Sequence, residues 1–192
     1  MNIREAIRTR RTIRKYKQER IPPEVLEELV DGARLAPSAT NRQPLEYLAV
    51  EDPSLLEPVF GTLGWAGYIR PHGTPKEGEK PAAYIVILIK REFDDILAKY
   101  DIGAAAENIL LGALEYGIGG CMIGSVEKDK LGEILQIPGE YVIDCVIALG
   151  YAAEKSMAED EQGSLKYYKD QDGVMHVPKR RLKDIMHVNK IR

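Results

Sequence analysis

The sequence predicts an α+β fold in three layers, a sheet with helices packed on its faces. Three observations predict it. Ala83–Ile89 and Val142–Leu149 are continuously apolar and rich in β-branched residues, the pattern of strands covered on both faces. Helical patterns come first along the chain and then interleave with the strands, which excludes separate helical and sheet domains. Asp101–Tyr116, the longest helical pattern, is poor in charge on nearly every side, as a helix buried all round is; in a chain this small that suggests burial against a second subunit, the alternative being a central core helix within one subunit.

The elements follow in order. Asn2 with Glu5 has the form of a capping box, opening a short helix to about Thr9. A basic segment, Arg10 to Lys17, comes next. Pro22-Pro23 opens a second helix, where Val25, Leu26, Leu29, Val30 and Ala33 recur at helical spacing up to the break at Pro37. Pro37 to Pro44 is a shaped loop, bounded by prolines and rich in side chains that hydrogen-bond. Tyr47–Val50 reads as a strand and Leu55–Phe60 as a short helix. Residues 61–81, around the only Trp, Trp65, form a long loop of the kind that is usually functional or mobile, a candidate lid. Gly119–Gly124 is a glycine-rich strand, and Lys128–Leu135 is a helix stopped by Pro138. Beyond Gly150 the chain turns polar, and residues 151–177 show no core periodicity. The prediction is a single domain over residues 1–192, with 151–192 as a C-terminal arm lying on a partner subunit.

Bulk properties narrow the function. The formal net charge of -3 advertises neither nucleic acid nor an anionic membrane as partner. Cys121 and Cys145 lie in apolar stretches and read as buried free thiols of a reducing compartment. No apolar run approaches a membrane span, and the start Met-Asn-Ile-Arg-Glu carries no apolar leader, so a cytoplasmic protein is expected. The three histidines, His72, His176 and His187, have no metal-ligand spacing to a cysteine. There is no GxGxxG after a first strand, no GxxxxGK[ST] and no nucleophile elbow.

Four groups remain. Arg10, Arg11, Thr12 and Arg14 suit a phosphate, through guanidinium forks and a hydroxyl, and equally suit a solvated basic face or a nucleic-acid arm. Lys179 and Arg181 alternate, so in extended chain both reach the same side; a surface charge run is the plainer reading. Ser38, Asn41 and Gln43 could line a polar heterocycle or only satisfy the turn's own backbone. Ile123-Gly124-Ser125 allows backbone to approach a flat ligand, or is a strand with a bulge. Binding groups without an evident acid, base or nucleophile point to a cofactor that carries the chemistry.

Arg10-Arg-Thr-Ile-Arg14, followed at the right spacing by Ala36-Pro-Ser-Ala-Thr-Asn-Arg-Gln-Pro44, resembles the nitroreductase family. So do Tyr116–Gly124, Ile147–Tyr151 and Lys179-Arg-Arg-Leu182, and the likeness runs along essentially the whole chain. The resemblance implies an α/β/α sandwich with a central, mostly antiparallel sheet, as a homodimer with FMN at the interface. It implies that Arg10, Arg11, Thr12 and Arg14 hold the phosphate, and that Lys179 and Arg181 close on it from the other end of the chain. Pro37, Ser38, Ala39 and Asn41, with Gln43 beside them, would pack on the flavin from the partner, and Ile123 and Gly124 would lie along its ring. No side chain is expected to be catalytic and no metal is expected. NAD(P)H would supply electrons to a nitroaromatic, quinone or activated alkene by a ping-pong scheme. A dehalogenase or dehydrogenase of the same family, or a non-catalytic flavin carrier, would share these motifs. The chain departs from the pattern at Leu45, where an aromatic is common, at Met122, where Trp is common, and in a short middle region, all of which bear on the acceptor.

Overall fold

A computed structural model describes residues 1–69 and 73–191; His72 and part of the 61–81 loop lie outside the described residues. The elements are α1 (Ile3–Thr9), α2 (Pro23–Arg34), β1 (Leu45–Val50), α3 (Pro53–Phe60), β2 (Ala83–Lys90), α4 (Ile96–Ala113), β3 (Ile118–Ile123), α5 (Lys128–Leu135), β4 (Tyr141–Tyr151), β5 (Ser156–Asp160), β6 (Tyr168–Lys169) and β7 (Met175–Lys179).

The two apolar runs become the central strands of a four-stranded sheet ordered β1-β2-β4-β3, antiparallel throughout. Alternate side chains divide the core. Ile85, Ile87, Ile89, Cys145, Ile147 and Leu149 meet α2 and α4 on one face. Tyr84, Val86, Leu88, Ile143, Val146 and Ala148 meet Val59 of α3, Leu131 of α5, Tyr16 and Trp65 on the other. This is the expected α/β/α sandwich, and each fully buried isoleucine contributes roughly 1.5–3 kcal/mol. The register of β2 against β4 shifts between Ile87 and Leu88, leaving Asp144 without a cross-strand partner. Its carboxylate reaches Lys99 Nζ on α4 at 2.6 Å.

Three elements differ from expectation. Helix α4 begins at Ile96, because Asp95 caps it by accepting the Leu97 and Ala98 N–H groups; Asp101 lies inside the helix, not at its start. The helix is not buried all round within one chain, since Gly103 and Asn108 are exposed. Residues 151–177 are not formless: β5, β7 and β6 make a second, three-stranded sheet with β5 and β7 parallel. Its short strands alternate too briefly for a periodicity to register. Among the described residues no helix is long and apolar enough to cross a membrane.

After α1 the chain runs extended over the sheet. Thr12 bridges Gly120, Ile13 N–H donates to the Gly120 carbonyl at 3.0 Å, and Lys17 N–H donates to the Tyr151 carbonyl at 2.8 Å. Missing side chains make room for this. A methyl group on Gly119 would sit 2.7 Å from Ile13, and one on Gly150 would sit 2.8 Å from Cβ and Cδ1 of Tyr16. Tyr16 is wholly buried, and its hydroxyl donates to the Ile13 carbonyl at 2.5 Å. Gly150→Ala should therefore cost about 1–3 kcal/mol by overpacking. Urea unfolding would show it as a lower midpoint at constant slope. An unchanged midpoint would mean that the segment lifts away freely.

The small sheet holds its own ion cluster. His176 Nδ1 lies 2.7 Å from Glu159 Oε2 and its Nε2 lies 3.0 Å from Asp170 Oδ2, with the Tyr168 ring stacked at 4.9 Å. Glu159 first, then Asp170, raises the imidazole pKa, and the histidine holds both carboxyls below their ordinary range. The raised histidine contributes stability below its unfolded value, about 6.5, and loses it as pH rises through the folded value; the carboxylates contribute above about 4 and lose it in acid. The melting-temperature deficit of His176→Gln should then be largest between about pH 5 and 6.5 and shrink toward alkaline pH. A deficit that does not vary with pH would refute this charge assignment.

Candidate functional site

The basic segment meets β3 at Gly120 and then pairs with residues 151–153, and its side chains diverge. Arg10 Nε meets Glu107 Oε1 of α4 at 2.9 Å, and the Arg11 guanidinium donates to the Arg8 carbonyl. The Arg11 pKa is lowered, first by burial and then by the charge of Arg10, with Glu107 opposing. One carboxylate thus pairs with Arg10 and acts on Arg11 only through its charge, and among the described residues the terminal nitrogens of Arg10 make no hydrogen bond. Arg14 faces the small sheet: its N–H donates to Glu154 Oε1 at 2.6 Å and its guanidinium lies 5.2 Å from the centre of the Tyr167 ring. Glu154 also receives Lys169 Nζ at 2.9 Å. The β3 edge therefore carries Arg10 and Arg11 at one end and Arg14 further along, with Thr12 paired to Gly120 between them.

Lys179 ends β7 and Arg181 follows it, both exposed. Among the described residues no hydrogen bond or ion pair joins either one to the 10–14 segment. The structure does not bring the two cationic groups together within one chain.

The 37–44 loop is held in an unusual backbone. Thr40, Asn41 and Gln43 have φ of 51°, 57° and 47°, in the left-handed region that residues other than glycine rarely adopt. Ser38 Oγ accepts the Gln43 N–H at 2.9 Å, and Gln43 Nε2 donates to Asn41 Oδ1 at 3.3 Å, so part of the polar edge is spent inside the turn. Two posts on α4 fix the loop from outside. Arg42 grips Asp95 through both terminal nitrogens at 2.7 and 2.6 Å, and the Ala39 N–H donates to Asp101 Oδ1 at 3.0 Å. Under the loop lies a cavity of about 60 Å³ bordered by Ser38, Gln43, Tyr47 and Asp101. Burial, and then the charge of Asp101, pushes the Tyr47 hydroxyl up to about 12.

At the end of β3 the Ile123 side chain is buried in the core, so it offers only backbone outward. Gly124 is exposed, with open space where a side chain would be. Met122, on the opposite face of the strand, is 44% exposed. The 61–66 segment docks just beyond, through Leu63 bridged to Val126 and the Gly64 N–H donating to the Ser125 carbonyl at 2.8 Å. Trp65 is buried and stacked on Phe60, so it is core there rather than a mobile cover. Tyr68 is the exposed aromatic of this loop; its N–H donates to the Tyr167 hydroxyl at 3.3 Å. Burial pushes the Cys121 thiol up to about 11 and the Cys145 thiol up to about 12, which leaves neither as a nucleophile near neutral pH.

Sequence reasoning missed Glu107, Glu154, Tyr167 and Asp101. Asp101 and Glu107 left a signal, as carboxylates in a pattern otherwise almost free of charge.

A model of the nitroreductase family matches residues 7–151. A protein of Methanothermobacter thermautotrophicus, provisionally named NADH dehydrogenase/NAD(P)H nitroreductase, is 31% identical over 170 residues, covering 83% of this chain and 82% of its own. A protein of Archaeoglobus fulgidus with the same provisional name is 34% identical over 160 residues, covering 78% and 84%. Among solved structures, an FMN-dependent nitroreductase of Clostridium difficile R20291 superposes with a TM-score of 0.69 at 25% identity, over 97% of this chain and 98% of that one.

The Arg42–Asp95 pair gives the site an acid-sensitive brace. Arg42 first, then the capping N–H groups, holds the Asp95 carboxyl far below its ordinary range. Its contribution is complete above the unfolded value of about 3.9 and is lost as pH falls toward the depressed one. Arg42→Ala should melt at lower temperature at pH 7, and the difference should close progressively below about pH 4. An equal difference at pH 7 and pH 2.5 would show that the pair contributes nothing.

Proposed function

Because the chain belongs to the nitroreductase family, we propose that it binds FMN and uses NAD(P)H to reduce a small acceptor. The observation that carries the cofactor site is the β3 edge. It meets the basic segment at the Thr12–Gly120 bridge and opens at Gly124, roughly 13 Å beyond. The residues present fit the cofactor: the crowded Arg10–Arg11 pair is relieved by a dianionic phosphate, and open space over Gly124 admits a flat ring.

In this reading Arg10, Arg11, Thr12 and Arg14 bind phosphate and neighbouring polar groups, and Lys179 and Arg181 supply further charge. Pro37, Ser38, Ala39, Asn41 and Gln43 form the surface that the partner presents to the ring, while Ile123 and Gly124 offer backbone. When bound, the flavin supplies hydride and electron transfer at N5. The protein orients it and places hydrogen-bond donors and positive charge where reduction adds negative charge. Donor and acceptor would use one site in turn, hence ping-pong kinetics, with a nitroaromatic, quinone or activated alkene as acceptor.

A homodimer is part of the proposal. No residue of the seven-residue α1 is buried, with Ile3 69% and Ile7 56% exposed. Leu35, Ile96 and Tyr100 are also exposed.

An absorbance spectrum of the purified chain, repeated after anaerobic NADH and NADPH, is the test. Flavin bands bleached by either donor are expected, and an acceptor panel then separates nitroaromatics, quinones and aryl halides. Bands that neither donor bleaches would favour a flavin carrier. A colourless protein that takes up no added FMN would overturn the site. Arg10→Ala and Arg181→Ala should each weaken FMN binding by about 1.5–3 kcal/mol, the scale of a charged hydrogen bond. Gly124→Val should weaken it without lowering the melting temperature of the flavin-free chain.

A further inference from the structure

Asp101 is a costly residue to keep. It is 4% exposed, in a helix whose neighbouring buried residues are Ala98, Ile102, Ala105 and Ala106. One oxygen accepts the Ala39 N–H, and the other, Oδ2, is buried with no hydrogen-bond partner. A half-satisfied buried carboxylate destabilises a core that a hydrophobic residue would fill better. Global stability therefore does not account for it.

The loop above it does. Three of its residues hold positive φ, and a pocket of about 60 Å³, open on one side, is bordered by Ser38, Gln43, Tyr47 and Asp101. Packing alone does not set the height and tilt of such a loop. Strained backbone beside a pocket relaxes unless a directed bond holds it. The Arg42–Asp95 pair anchors the far side, and the Asp101–Ala39 bond anchors the near side, immediately before the first strained residue.

We infer that Asp101 is a positioning residue for the cofactor: by holding the Ala39 N–H it fixes the loop surface that meets the flavin. This rests on the proposal that the 37–44 loop packs on FMN. Its role is as an acceptor and not as a charge, so an amide oxygen at the same place should serve.

FMN titration of the full-length flavin-free chain tests it, with visible circular dichroism of the bound flavin and melting of the flavin-free form. Asp101→Leu should raise the FMN dissociation constant roughly ten- to hundredfold and change the dichroic bands, with a flavin-free melting temperature equal to wild type or higher. Asp101→Asn should stay within about threefold of wild type. Ala39→Pro removes the donor; Ala39 is the first residue of a 3-10 turn and Ser38 before it is extended, positions that tolerate the change. Because Ala39 also belongs to the flavin-facing surface, it is read only through the double variant, which should be no weaker than the weaker single one. Asp101→Leu with wild-type affinity would overturn the inference, as would Asp101→Asn as weak as Asp101→Leu, or additive losses in the double variant. If Asp101→Leu does not fold, Asp101→Ala takes its place: binding about tenfold weaker than that of Asp101→Asn supports the inference and wild-type binding overturns it. Wild type that takes up no FMN would overturn the cofactor reading and this inference together, whereas wild type and variants binding alike would overturn this inference alone.

Discussion

Three carboxylates along α4 hold the parts of the site in place. Asp95, Asp101 and Glu107 are spaced six residues apart, so successive ones stand about 9 Å apart along the helix axis. Each receives one remote element: Arg42, the Ala39 N–H and Arg10. The helix can serve as a post because its other side is locked. Ala98, Ile102, Ala105, Ile109 and Ala113 are buried against α2 and the sheet, and a methyl group on Gly112 would already press on Leu29 at 3.2 Å. A close-packed core transmits position with little slack. Two loops of irregular backbone thereby acquire the precision of the helix they lean on.

The sheet edge is the complementary constraint. An uncovered β3 would expose a row of unpaired backbone groups. Thr12 and Ile13 pair with it at Gly120, residues 15–17 pair with 151–153, and Ile13 and Tyr16 approach closely only because Gly119 and Gly150 carry no side chain. The glycine-rich strand thus has two uses. Gly119 and Gly120 serve packing, against Ile13 and Leu110, and Gly124 alone faces open space. One strand pins the basic segment and then ends in an accessible backbone, so the cationic groups and the open glycine share a single rigid reference.

This division explains what was legible in the sequence. Elements whose signal is local were readable: Lys128–Leu135 has the predicted bounds, and the apolar runs became β2 and β4 within two residues at either end. The start of α4 was misplaced because it is set by the cap at Asp95 and its pair with Arg42, whereas Ile96, Leu97 and Tyr100 are exposed and carry no core signal. The site motifs were readable as residue types, since arginine clusters and glycines keep their chemistry in any context. Their partners were not. Glu107 lies 97 residues from Arg10, and Glu154 lies 140 from Arg14. Nothing in a linear pattern reports which carboxylate will stand opposite a given cation.

One chain leaves undone what a second subunit would complete. A seven-residue helix is far below the length at which an isolated helix is stable in water, and α1 buries nothing to compensate. Leu182, Ile185, Met186, Val188 and Ile191 at the other end of the chain are all at least half exposed. Ordering apolar segments against solvent returns no hydrophobic gain to offset their lost entropy. Both bare segments flank the cationic groups assigned to the phosphate: α1 runs directly into Arg10, and the tail follows directly from Arg181. Within one chain those groups do not meet. A partner that covers α1 and the tail supplies the missing burial, and its own copies of the same elements would come with it. Assembly and cofactor binding are then one problem, because the surfaces that need covering are continuous with the residues that need an anion.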